Sequence, residues 1–170
     1  LKASQVTASD QFGRSVAVSG DMVVVGASGE DSSTTGSNST PDELASAAGA
    51  AYVFVRSGTT WSQQAYLKAS QVTASDQFGR SVAVSGHTVV VGGIGEDSST
   101  TGINSTPNES ASFAGAAYVF VRSGTTWSQQ AYLKASQVSE YDQFGYSVAV
   151  SGDTVVVGAV YEDSSMTGIN

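Results

Sequence analysis

The sequence contains no cysteine, so it has neither a disulfide framework nor thiolate chemistry. Its one histidine, His87, would have to be buried and oriented to serve a Ser-His-Asp site. It lies instead beside Gly86, in a position that reads as an exposed hairpin turn. Charged residues make up only 13% of the chain, and the seven Lys and Arg are outnumbered by fifteen Asp and Glu. The resulting net charge of −8 argues against a nucleic-acid backbone or an anionic membrane as partner. No apolar run approaches the ~18 residues that cross a bilayer, so membrane insertion is not expected. No signal peptide is visible at Leu1, but the chain starts inside a repeat, so this says nothing about secretion.

What the sequence does have is Gly, Ser, Thr and short apolar runs, the composition of short strands joined by many turns. Residues 12–27 organise the rest. Val16 and Val18 alternate with Ser15, Ala17 and Ser19, the period of a strand. Gly20-Asp21 suits a primed two-residue turn. The run after it, Met22 to Val25, is apolar on consecutive residues and reads as a strand buried on both faces. The unit returns at 78–93 and 144–159, a period of 66 residues. Residues 1–66 and 67–132 differ at only eight positions, and 133–170 form a partial third copy. A fixed period of this size predicts a propeller or an array.

Each repeat holds four strand candidates. After the hairpin comes a polar loop of about twenty residues, 29–48. The third strand, 49–56, has Tyr52 and Phe54 on one face and Ala51, Val53 and Val55 on the other. The fourth runs from Trp61 to about Ala69, where even spacing puts Trp61, Ala65 and Leu67 on one face. Apolar groups on both faces of a strand predict a sheet flanked by like sheets. Trp61, Tyr52 and Phe54, with Trp127, Tyr118 and Phe120, are therefore expected to be buried between sheets. Residues 43–50 have room for one helical turn and no more. The chain begins at the end of a fourth strand and stops inside a long loop, as an excerpt of a longer array would.

Phe12-Gly13, then Gly26-Ala27-Ser28, then Gly49-Ala50-Ala51-Tyr52-Val53-Phe54, resemble the FG-GAP repeat, the blade unit of integrin-α-type propellers. The pattern Asp-x-Phe-Gly-x-Ser-Val-Ala-x-Ser-Gly-Asp is similar to the bacterial variety. The resemblance implies all-β architecture with tandem four-stranded antiparallel blades, here about two and a half. These would belong to a propeller-like ring or, alternatively, to an open linear array. It also implies an extracellular or cell-surface location and adhesive or scaffolding roles without catalysis. Two departures are visible. Ser28, Ile94 or Val160 replaces the proline of Gly-Ala-Pro. A two-residue turn replaces the integrin-type calcium loop, and its one carboxylate falls short of the roughly 6–8 oxygens calcium takes.

Candidate functional residues concentrate in the long loops. Glu30, Asp31 and Asp42, with Glu96, Asp97, Glu162 and Asp163, are candidate calcium ligands, because carboxylates from one loop can converge on a cation. Solvated loop charges are the simpler alternative, and no pocket is evident that would make them a glycosidase pair. From 32 to 40, seven of nine residues are Ser or Thr. Asn38, Asn104 and Asn108 stand in N-glycosylation sequons, and Thr34, Thr35 and Thr40 are candidates for O-linked sugar. Asp10, Asp76 and Asp142, each before Gln-Phe-Gly, read as turn caps. Where the copies differ, loops gain apolar groups at Ile94, Ile103, Phe113, Tyr141, Val160, Tyr161 and Ile169, a candidate contact surface.

The expected function is a non-catalytic structural or adhesive module of an extracellular bacterial assembly, filament-forming where head-to-tail contacts do not close. The alternative is a closed propeller that binds carbohydrate or protein through its loops, with or without calcium. The expected partners are other copies, neighbouring repeats and glycans.

Overall fold

A computed structural model describes residues 1–5 and 7–165. Ten strands form three antiparallel sheets. The first blade consists of β1 (Phe12–Ser19), β2 (Met22–Ala27), β3 (Ala50–Ser57) and β4 (Thr60–Leu67), paired in sequence order. The second repeats this as β5 (Phe78–Ser85), β6 (Thr88–Gly93), β7 (Ala116–Ser123) and β8 (Thr126–Leu133). The third sheet pairs β9 (Phe144–Ser151) with β10 (Thr154–Ala159). No helix occurs among the described residues. Residues 43–50 do not form the single helical turn, because Glu43 and Ala47 take φ of +58° and +52°, outside the right-handed helical region.

The hairpins close as the sequence predicts. Ser19 pairs with Met22 across Gly20-Asp21, and Gly20 sits at φ +56°, a value open to glycine without steric penalty. The strands feed three apolar layers. Val24, Val53 and Leu67 of the first blade pack with Phe78, Tyr118, Phe120 and Trp127 of the second. Val25, Tyr52, Phe54 and Tyr66 form a separate layer on the other face of the first blade. The third layer joins Val90 and Val119 to Phe144, Val148 and Val157 of the third sheet. This is why β3 and β7 are apolar on both faces.

The fourth strand departs from simple alternation. Val53 pairs with Ala65 but Phe54 pairs with Gln63, so Gln64 is an extra residue in a β-bulge. A bulge reverses the parity of everything beyond it. Trp61 consequently pairs with Arg56 and shares the face of Tyr52 and Phe54, not that of Ala65 and Leu67. The same bulge recurs at Gln130 in β8. There Trp127 meets the first blade, and its Nε1 donates to the Gln64 Oε1 at 3.0 Å.

Tyr52, Phe54, Tyr118, Phe120 and Trp127 are buried, but Trp61 is 37% exposed against 3% for Trp127. This corrects the expectation for Trp61. The first blade covers Trp127, whereas among the described residues no blade stands in front of Trp61. Replacing Trp127 with alanine is expected to cost about 3–5 kcal/mol, as for other buried large side chains. The same change at Trp61 should cost less than half of that in urea unfolding. Equal losses at the two positions would refute the view that the neighbouring blade sets the difference.

The blades fan from one edge. The first strands β1, β5 and β9 lie against each other, while the fourth strands β4 and β8 stand farther apart. The Phe-Gly motif makes the close edge. Gly79 takes φ +89° within a bulge, and its carbonyl accepts the Ser15 hydroxyl of the preceding blade at 2.8 Å. Ser81 repeats this to the Gly145 carbonyl at 2.7 Å.

Candidate functional site

The long loop of the first blade is bound into the structure along its length. It first lies beside the end of β4, where Lys68 N donates to the Gly36 carbonyl at 2.9 Å and Asn38 N to the Tyr66 carbonyl at 2.7 Å. The Asn38 Oδ1 accepts the Tyr66 amide at 2.9 Å. The loop then turns back, with Ala45 N donating to the Asp31 carbonyl and Gly49 N to the Glu30 carbonyl. Its last residues stitch to the next blade through Ser75 N to Ser46 O at 2.7 Å and Phe78 N to Ala48 O at 2.9 Å. A loop of twenty residues can lie there because its backbone groups find partners, as buried backbone must.

Under this loop lies a buried ionic cluster. Glu30 is 1% exposed and Lys68 0%. The Lys68 ammonium donates to Glu30 Oε2 at 2.9 Å, to Ser32 O at 2.6 Å and to Gly49 O at 2.7 Å, which uses all three of its protons. The Tyr66 hydroxyl donates to the Glu30 Oε1 at 2.7 Å. In the second blade Lys134 and Tyr132 hold Glu96 in the same way, each at 2.7 Å. Burial pulls the Lys68 ammonium below the usual lysine range, and the Glu30 carboxylate opposes that pull. Burial and the bond to Glu30 raise the Tyr66 hydroxyl, so it stays protonated and donates.

The carboxylates expected to share a cation are drawn to different donors. Glu30 and Glu96 are committed to lysine and tyrosine. The Asp31 Oδ1 accepts the Ala47 amide at 2.7 Å, and the Asp97 Oδ1 accepts the Phe113 amide at 2.7 Å. Asp42 accepts the Ser33 hydroxyl at 2.7 Å and its amide at 2.8 Å, and these bonds hold its carboxyl below the usual range. Asn108 replaces Asp42 in the second blade and accepts the Ser99 amide at 3.0 Å. A cap needs an acceptor oxygen and not a charge, so the replacement preserves the loop. Glu162 and Asp163 are exposed, and Glu162 caps the Ser164 amide. Among the described residues no three His, Cys, Asp or Glu side chains group as a metal site would require. In this structure the cation beside Glu30 is the Lys68 ammonium.

The apolar substitutions divide. Ile94 is buried, whereas Ile103, Val160 and Tyr161 are exposed. Phe113 of the second blade stacks on Tyr141 of the third at 6.1 Å and 16°. Two substitutions far apart in sequence, from Ala47 and Ser75, therefore meet at one blade junction. Ile169 lies outside the described residues. Asn38, Asn104, Asn108, Thr35 and Thr40 are exposed on the loops. Thr34 is half-buried, with its hydroxyl bonded to those of Ser32 and Ser39 at 2.8 Å.

Sequence reasoning missed Lys68, Lys134, Tyr66 and Tyr132. One signal was available: the chain has one lysine per repeat, at 2, 68 and 134, set among apolar residues at the end of a strand. The turn caps are as expected. The Asp76 Oδ2 accepts the Thr73 amide at 2.7 Å, and Oδ1 accepts its hydroxyl at 2.6 Å. Burial pushes the Asp76 carboxyl up to about 7 from 3.8, the Thr73 bonds pull the other way, and Glu96 and Glu109 add to the rise. A carboxyl raised on folding favours the native state when protonated, and that contribution fades as pH rises from the unfolded to the folded pKa. The melting temperature is expected to fall between about pH 4 and pH 7, and Asp76→Asn should flatten that slope. An unchanged slope in the variant would assign the effect elsewhere.

The FG-GAP repeat profile matches residues 1–54, 61–120 and 127–169. No curated protein matches the chain significantly. With most of its length matched, in three successive segments, and with blades built on the Phe-Gly motif, the chain belongs to the FG-GAP repeat family.

Proposed function

We propose that this chain is a non-catalytic structural and adhesive module of an extracellular bacterial surface or secreted assembly, adding blade to blade through repeated faces. One observation carries the reading. The second blade buries Val82 and Trp127 against the first, while the matching residues of the first blade, Val16 and Trp61, stay exposed. With 66-residue copies that differ at only eight positions, a further blade of the same type would fit the exposed face as the first fits the second. The carboxylates suited to acid–base chemistry are spent on lysine and on loop amides, which supports a scaffold. Partners are then other copies, neighbouring repeats and glycans, with sugars at Asn38, Asn104, Asn108, Thr34, Thr35 or Thr40.

The packing of β1, β5 and β9 along one edge favours a second reading, closure of such blades into a ring. Sedimentation velocity with negative-stain microscopy over rising concentration tests the proposal. Wild type should self-associate, and Val16→Asp with Val18→Asp should not; filaments or compact rings would choose between the readings. A wild type that stays monomeric throughout, or a variant that associates equally, would end the proposal.

A further inference from the structure

We propose that the cleft between the hairpin ends of the first two blades binds a small carboxylate, held by Arg122 where the first blade has a built-in aspartate. The two blades offer a direct comparison. In the first, the Asp21 Oδ1 accepts Arg56 Nε at 2.9 Å and Nη2 at 2.6 Å. In the second, His87 occupies the place of Asp21 and Arg122 that of Arg56. The backbone frame is unchanged: Arg56 N donates to the Asp21 carbonyl at 2.8 Å and Arg122 N to the His87 carbonyl at 3.0 Å. Only the carboxylate is missing.

Arg122 has no equivalent acceptor. Its Nη1 reaches Gln64 Oε1 of the first blade at 3.2 Å, and its guanidinium lies 5.9 Å from the Trp127 ring centroid. Its Nε is the one buried side-chain polar atom among the described residues without a hydrogen-bond partner. Such a donor carries a desolvation cost until an acceptor meets it. Beside it opens a cleft of about 340 Å³, bordered by Ser19, Asp21, Arg56, Gly86, His87 and Arg122. Asp21 also faces this space, but Arg56 neutralises it. The Gly86 amide donates to the Ser19 hydroxyl at 3.3 Å and ties the two turns together. The cleft therefore keeps one uncompensated guanidinium in a chain of net charge −8. A guanidinium fork matches a carboxylate in two parallel bonds. An incoming carboxylate would take the place the Asp21 side chain holds against Arg56.

The test uses the whole chain and two probes, acetate and glucuronate, with chloride as the ionic control. Nitrogen–proton correlation spectra should show saturable shifts at the Arg122 Nε–H and the His87 amide. The Kd should be on the order of millimolar, the range open to so small a ligand. Equal responses to both probes would support recognition of the carboxylate alone, and a stronger response to glucuronate would support an acidic sugar. His87→Asp recreates the first blade's pair and should fold normally while weakening binding at least tenfold. Arg122→Gln should weaken it comparably. An absent or non-saturable response in wild type, an equal response to chloride, or undiminished binding in either variant would overturn the proposal.

Discussion

Replacing Glu30 with leucine is expected to destabilise the protein by about 3–5 kcal/mol, the range for breaking a buried ion pair by removing one partner. The cause is the group left behind. The Lys68 ammonium is fully buried, and its ion-pair partner is the Glu30 carboxylate at 2.9 Å. Lys68→Met should cost a similar amount, because it strands that carboxylate and frees the Ser32 and Gly49 carbonyls. The double variant should lose much less than the sum, since a buried pair can be exchanged for apolar side chains at small net cost. Some loss will persist through the two carbonyls. Thermal unfolding should register each single change as a drop of about 2–4 °C per kcal/mol. Additive losses in the double variant would mean that the two groups do not act as a pair. Cutting residues 30–47 down to a short turn should likewise weaken the blade, because that loop supplies Glu30.

The second large effect concerns a glycine that looks the same in all three copies. A Cβ on Gly26 would sit 2.0 Å from the Gly79 carbonyl oxygen, and one on Gly92 would sit 2.0 Å from that of Gly145. Backbone cannot rotate aside as a side chain can, so the blades would have to separate. Gly26→Ala and Gly92→Ala are each expected to cost about 3 kcal/mol or more, the upper range for overpacking. A Cβ on Gly158 would meet only the Ser147 hydroxyl, at 2.5 Å, and that group can turn away. Gly158→Ala should therefore cost under about 1 kcal/mol, as surface changes usually do. Chemical denaturation of the three variants ranks them, and a Gly158→Ala loss as large as the others would show that blade contact is not the cause. The Gly26 change should also remove the Ser15 bond to Gly79.

Much of this architecture is legible in the sequence alone. The 66-residue period, the Gly20-Asp21 hairpin and the two apolar faces of β3 follow from local spacing and turn chemistry. Local rules act within a few residues, so they survive translation into structure. The candidate site was less legible. Adjacent Glu30 and Asp31 read alike in sequence, yet one faces a buried lysine and the other caps Ala47. What separates them is the path of a loop that brings Glu30 to Lys68 across 38 residues.

The sequence by itself determined the repeats, their strands and their family. Only the tertiary structure decided which equivalent residues share a fate. The bulge at Gln64 moved Trp61 to the opposite face, because one extra residue inverts a period of two. A neighbouring blade then buried Trp127 and left Trp61 half open. It also set Gly26 and Gly92 against the backbone of the next blade, whereas Gly158 faces only Ser147 of its own hairpin. The eight differences between the first two copies carry no label of their own. Asp21 and His87 differ in meaning because Arg56 and Arg122 stand opposite them. The physical reason is the same throughout: burial, charge pairing and steric contact belong to pairs of groups, and the fold chooses the pairs.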